Sequence, residues 1–362
     1  MFKGNAQHSG IYNTTGPDKQ GSVKWKFNTG DKIRSTPTVY ENIIYIGNSS
    51  GSMYSLDAET GVLNWEFTTD SPVSSTAAVS GNAAYFVNDN GILYSINTES
   101  GRLIWQYKPE FSDGLIPRDI WDYYFSSPAI SKGMIYYGSR NGMFYVINQS
   151  GKLVWEYDTL PGSNQKTRKN LNYLTINSPA IYNNTVYFGA ITRKLYALDA
   201  KTGKEKWIYQ TDACPQGSPC IDNGTVYFGG RDAMIHALDA DTGEEKWNLK
   251  SKNGSWFLST PVVYNGTLYT GSSDDYGLYA IDAGTGSLKW IFSAKDRMQS
   301  SPVVANGIVY CGSDDGNLYA IDAQSGELQW KFDTGYPIYS SPVVHNGIIY
   351  IGSDNGYLYA LE

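Results

Sequence analysis

A chain of 362 residues with 35 acidic and 28 basic side chains, net charge −7, offers no basic footprint for nucleic acid, and its 41% hydrophobic content can bury a core, which excludes disorder as an overall description. No stretch approaches the roughly 20 consecutive apolar residues of a membrane-spanning helix, and the three scattered cysteines, Cys214, Cys220 and Cys311, form neither a disulfide framework nor a Cys-x-x-Cys pair. The 30 Tyr, 10 Trp and 38 Gly point instead to many short strands joined by tight turns.

In chain order, residues 1–20 read as an N-terminal extension, opening Met1-Phe2-Lys3-Gly4-Asn5 without the apolar run of a secretory signal. Residues 21–30 follow as a single strand around Trp25 with no three strands before it. From there one unit recurs about every 40 residues, marked by Trp65, Trp105, Trp155, Trp207, Trp247, Trp290 and Trp330. The cleanest copy runs Ser301-Pro302-Val303-Val304, Asn306-Gly307, Ile308-Val309-Tyr310-Cys311-Gly312, Asp315-Gly316, Leu318-Tyr319-Ala320-Ile321, Ser325-Gly326, then Leu328-Gln329-Trp330-Lys331-Phe332. Asn-Gly and Asp-Gly between apolar runs supply the positive φ of tight hairpins, so each unit is expected to be a four-stranded antiparallel meander with almost no helix. A lone meander cannot bury both faces, and four strands per roughly 40 residues fit a propeller blade.

Three landmarks count the units. Trp25 with the seven repeat tryptophans, the inner-strand pairs Thr36-Pro37, Thr76-Ala77, Ser127-Pro128, Ser178-Pro179, Ser218-Pro219, Thr260-Pro261, Ser301-Pro302 and Ser341-Pro342, and the third-strand residues Tyr54, Tyr94, Tyr145, Tyr196, His236, Tyr279, Tyr319 and Tyr359 each make eight. The last unit stops at Leu358-Tyr359-Ala360-Leu361-Glu362, one strand short, and the surplus strand at 21–30 completes it. The expected fold is therefore one all-β, eight-bladed propeller over residues 1–362, its last blade closed by the N-terminal strand, with insertions at 106–125 and 156–177.

The run Ala-x-Asp-x-x-Thr/Ser-Gly-x-x-x-Trp appears at Ala197 to Trp207, Ala237 to Trp247, Ala280 to Trp290 and Ala320 to Trp330. Earlier copies vary: Ser55 and Ser95 stand for the alanine, Asn97 for the aspartate, and Val146 and Asn148 for both. Over roughly residues 21 to 362 the chain resembles the eight-bladed quinoprotein propellers and their non-enzymatic PQQ-like repeat relatives, the branch that includes the propeller lipoprotein of outer-membrane barrel assembly. The resemblance implies that each tryptophan packs between neighbouring blades and is structural. It also implies an extracytoplasmic location, because the opening Met1–Gly10 is similar to the mature start of exported members whose leader has been removed.

Both insertions run from an outer strand to the next inner strand and emerge on the face where the family's enzymes hold cofactor. Long excursions from an economical repeat commonly carry function. The first holds Arg118, Trp121, Tyr123 and Tyr124 beside Asp119 and Asp122; the second holds Arg168 and Tyr173 beside Lys166 and Lys169. Aromatic residues beside basic ones suit a protein segment, an anionic small molecule or a glycan; the same aromatics would also plug the wide hole of an eight-bladed ring. Arg140, Arg193 and Arg231 replace the acidic or amide residues of other second-to-third strand turns, such as Asp89, Asp274, Asp314 and Asp354, and form either a basic sector or plain solvated charge.

No Cys-Cys pair, phosphate loop, histidine metal site or catalytic triad is legible, and Asp314-Asp315-Gly316 is too short for a calcium loop. The expectation is a monomeric, non-catalytic scaffold that binds a protein or other macromolecule through the insertion-bearing face, without cofactor. The other two readings are a PQQ- and calcium-dependent alcohol or sugar dehydrogenase and a ligand-sensing module.

Overall fold

Turn chemistry sets where the strands end. At Asn306-Gly307 both residues take positive φ, 46° and 78°, the backbone of a two-residue hairpin turn, and the flanking strands Val303–Ala305 and Ile308–Gly312 pair with Ala305 opposite Ile308. Asn317–Asp322 then pairs antiparallel with Ile308–Gly312, and Leu328–Asp333 closes the sheet. One residue bulges in that outer strand: Trp330 faces Ala320 and Leu328 faces Ile321, leaving Gln329 unmatched.

The computed structural model describes residues 1–17, 21–110, 126–163 and 176–362. Among them the same meander occurs eight times: blade 1 spans 38–68, blade 2 78–107, blade 3 129–158, blade 4 180–210, blade 5 220–250, blade 6 262–293, blade 7 303–333 and blade 8 343–361. Blade 8 takes its outer strand, Val23–Asn28, from the N-terminal side, with Trp25 opposite Ala360 and reciprocal backbone bonds between Ser22 and Glu362 of 2.9 and 3.0 Å. The ring is thus closed by hydrogen bonds between distant parts of the chain, as the strand count required. Apart from a three-residue 3₁₀ turn at Phe2–Gly4, the described residues contain no helix.

Blade-to-blade packing repeats one contact. Trp25, Trp65, Trp105, Trp155, Trp207, Trp247 and Trp290 each lie against a glycine of the following blade: Gly61, Gly101, Gly151, Gly203, Gly243, Gly286 and Gly326. A Cβ on Gly243 would fall 2.6 Å from the Trp207 ring, and its φ of +74° already favours glycine. Six of these indole N–H groups find a carbonyl across the seam, as from Trp207 to Ala240 at 3.0 Å, where the same carbonyl accepts from the Tyr187 hydroxyl at 2.9 Å, whereas that of Trp290 has no partner among the described residues. Trp65 is buried and the other six are half-buried, so about 1.5 to 3 kcal/mol each, the value for complete burial, is an upper bound on their contribution by area.

Two features depart from the sequence expectation of uniform four-stranded blades and a plain N-terminal extension. Ile11–Tyr12 adds a fifth strand to blade 7, parallel to Val303–Ala305. The residues before it enter the central channel: the amides of Ile181 and Ile221 donate to the carbonyls of Ala6 and Gln7 at 2.7 and 3.0 Å, and that of Val304 to Gly10 at 2.9 Å. An inner strand has one sheet partner, so its channel-facing amides are available to any extended segment that reaches them.

Candidate functional site

The upper face comprises the turns between second and third strands and the connections from each outer strand to the next inner strand. Its axis is a funnel lined by Thr36, Thr76, Ser127, Ser178, Ser218, Thr260, Ser301 and Ser341, one hydroxyl per blade, with Phe2 as floor. Small residues are needed where eight strands converge, and these hydroxyls also stitch the blades together. The amide of Thr76 donates to Ser127 Oγ at 2.9 Å, Ser127 to Ser178 at 2.9 Å, Ser178 to Ser218 at 3.1 Å, Thr260 to Ser301 at 3.0 Å, Ser301 to Ser341 at 3.1 Å and Ser341 to Thr36 Oγ1 at 3.2 Å.

Below the ring lie two basic side chains of the N-terminal segment. Lys3, 2% exposed, donates through Nζ to the carbonyls of Thr260 and Pro261 at 3.0 and 2.7 Å, and burial pulls its pKa down to about 7. His8 stands edge-on to Phe2 and places Nδ1 2.8 Å from the Pro219 carbonyl; burial pulls its pKa down to about 3, so it is neutral near pH 7. Among the described residues, this N-terminal segment fills the channel from below.

Charge divides the upper rim. In blades 7 and 8, Arg34 makes a two-pronged bond to Asp354, Nε to Oδ1 at 3.2 Å and Nη2 to Oδ2 at 3.0 Å, with its guanidinium 5.2 Å over Tyr339. Nearby Asp314 accepts from Gln299 Nε2 at 3.0 Å; burial, then the charge of Asp296, push its pKa up to about 7 against the opposing pull of Arg297. The turns of blades 3, 4 and 5 carry Arg140, Arg193 and Arg231, so the topology brings these three expected residues to successive positions of one sector. Arg140 reaches the Asp89 carbonyl at 3.3 Å, Arg193 is exposed at φ 59°, and Arg231 holds the Gln216 side chain. Arg118, Trp121, Tyr123, Tyr124, Arg168 and Tyr173 lie outside the described residues.

One residue of this face escaped the sequence reading. Trp256, on the connection between blades 5 and 6, is 40% exposed, with the Arg231 guanidinium 5.1 Å from its ring centre and its backbone tied to Ser273 on the next turn. Its position outside the 40-residue tryptophan rhythm was the available signal. Tyr276 and Tyr336 are also exposed on this face. His236, in place of the usual third-strand tyrosine, puts Nε2 3.1 Å from Asp232 four residues earlier; Tyr319 and Asp315 make the same turn-pinning contact at 2.6 Å, so this histidine is structural. Among the described residues no three His, Cys, Asp or Glu come together to hold a metal ion.

A protein-family model described as outer membrane protein assembly factor BamB matches residues 15–114, 121–248, 214–301 and 292–362. Among solved structures, BamB from Moraxella catarrhalis superposes with a TM-score of 0.75 at 16% identity, covering 94% of this chain and 99% of that one. A europium-containing methanol dehydrogenase gives 0.77 at 14% identity, covering 100% and 97%. The quinoprotein alcohol dehydrogenase PedH of Pseudomonas putida is 33% identical over 101 residues, 25% of this chain and 16% of that protein, so the chain spans under a fifth of this curated relative's length in the match. At these structural identities the shared property is the fold.

Proposed function

This chain belongs to the family described as outer membrane protein assembly factor BamB, and from that membership we propose that it is a non-catalytic, exported propeller that holds a protein or other macromolecule on its upper face. The observation that carries the reading is the pairing of Trp256 with Arg231. A rigid, part-exposed indole beneath a guanidinium, flanked by Arg193 and Arg140 on the neighbouring turns and by Tyr276, is the residue chemistry that dominates binding energy at protein interfaces. We assign Trp121, Tyr124 and Arg168, of the two long connections between an outer strand and the next inner strand, to the same proposed surface. No helix among the described residues is long and apolar enough to cross a membrane.

The likeness to PedH favours a second reading, a quinone-dependent alcohol dehydrogenase. Such an enzyme needs carboxylate and amide oxygens converging on a calcium or similar ion beside the quinone. Two of the described rim carboxylates do not fit that need: Asp354 is engaged by Arg34, and Asp314 is held towards its neutral form by burial.

Two measurements decide between these readings. Adding PQQ with calcium is expected to leave the melting temperature unchanged and to produce no dye-linked alcohol oxidation; stabilisation together with turnover would overturn the scaffold reading. A photo-crosslinking residue at position 256 is expected to yield a discrete protein adduct in cell-envelope extracts, lost when Arg231→Glu is added, with the melting temperature of that variant unaltered.

A further inference from the structure

The repeat itself provides the comparison. The bulged residue of each outer strand, immediately before the tryptophan, is Lys24 in blade 8, Asn64 in blade 1, Ile104 in blade 2, Val154 in blade 3, Lys206, Lys246 and Lys289 in blades 4 to 6, and Gln329 in blade 7. The bulge turns this side chain towards the lower groove between its blade and the next. Where it is lysine, an ammonium sits there. Lys206, Lys246 and Lys289 donate to Thr185, Thr225 and Thr267 at 2.6, 2.9 and 2.8 Å, and Lys246 and Lys289 approach Asp239 and Asp282 at 3.2 and 3.4 Å. Lys24 pairs with Glu59 on the following blade and reaches Glu362 at 3.3 Å.

The groove between blades 1 and 2 keeps the anionic side of this arrangement and lacks the cation. Glu99 stands at the position of Glu59, one blade on, whereas Asn64 replaces the lysine and Ile43 the threonine. The resulting space is about 700 Å³, against about 430 Å³ for the equivalent groove between blades 6 and 7, where Lys289 intrudes. It is lined by Tyr40, Glu41, Tyr45, Asn64, Asn82 and Glu99 among others, with no basic side chain. Tyr45, which lines the groove and is 2% exposed, makes no hydrogen bond through its hydroxyl among the described residues; Tyr85 of blade 2 shares that state, whereas Tyr136, Tyr187, Tyr227, Tyr269 and Tyr350 at the same position donate to the next blade's carbonyl. The acceptor for Tyr45 would be the carbonyl of Thr98, which also lines the groove.

We propose that the groove between blades 1 and 2 is a binding site for a small linear polyamine, whose ammonium groups take the place of the absent lysine on Glu99 and Glu41 while its methylenes lie along Tyr40 and Tyr45. The volume falls within the range of small-molecule sites, roughly 300 to 1,000 Å³. Carboxylates, amide oxygens and tyrosine rings with no competing cation select ammonium over anionic or neutral ligands. The site lies on the face opposite the proposed interaction surface and does not depend on it.

Isothermal titration with spermidine at low ionic strength tests the assignment. Saturable binding to one site is expected in the unaltered chain. Asn64→Lys restores the side chain that four other blades already carry, so it is expected to fold normally and to weaken binding about tenfold or more by filling the groove. Glu99→Gln is expected to weaken it comparably, and butylamine, with a single ammonium, to bind less tightly than spermidine. No saturable binding, or binding of the same strength in Asn64→Lys, overturns the proposal, the latter because it would report only the general attraction of an acidic protein for polycations.

Discussion

At the scale of single residues, the repeat supplies its own controls. His236 is legible as structural from position alone, because seven other copies place tyrosine there, and the contact with Asp232 bears this out. Asp314 is different: its turn was readable, its burial was not. With an ordinary value of 3.8 and a native value raised to about 7, the folded protein binds this proton more tightly than the unfolded chain does. The stability linked to Asp314 is therefore fully present below about pH 4 and is lost as pH rises towards 7. Thermal denaturation of Asp314→Asn is expected to show a higher melting temperature than the unaltered chain at pH 8 and none of that advantage at pH 4; a gain of equal size at both values would assign it to something other than this titration.

At the scale of elements, turn glycines divide into two kinds, that of the Asn-Gly hairpin and that of the Thr/Ser-Gly turn before each tryptophan. Gly243 and Gly224 both have positive φ, +74° and +71°, but a Cβ on Gly243 meets the Trp207 ring whereas one on Gly224 meets nothing within 4 Å. Gly224→Ala is expected to cost only backbone strain, about 1 kcal/mol, and Gly243→Ala that strain plus about 1 to 3 kcal/mol of overpacking at the seam between blades. Chemical denaturation of the two variants measures the difference directly, and equal losses would show that the indole yields freely. The strands, their hairpins and the tryptophan spacing were readable because each depends on residues within one unit. The hydroxyl ring was visible as a recurring Ser/Thr-Pro pair, but the bonds that run from blade to blade around the axis depend on neighbours about 40 residues away.

At the scale of the whole molecule, two segments that precede blade 1 have separate tasks. Val23–Asn28 closes the ring, and the residues up to Tyr12 fill the channel and join blade 7. Removing residues 1–12 is expected to leave a cooperatively folding propeller of lower melting temperature, because every blade retains its four strands. Removing residues 1–28 strips the outer strand from blade 8, exposes the edge at Tyr357–Leu361, and is expected to abolish cooperative unfolding and promote association through that edge; calorimetry with light scattering follows both, and a two-state transition in the shorter chain would refute the closure argument. The amino-acid sequence by itself determined the fold class, the number of blades and the split closure, since period, turn chemistry and apolar patterning are local and repeated eight times over. Only the tertiary structure decided that Phe2, Lys3 and His8 occupy the channel, that Trp256 lies under Arg231, and that the lysine missing from blade 1 leaves an anionic groove. Each of these depends on which distant side chains the closed ring brings together, and no local pattern encodes that.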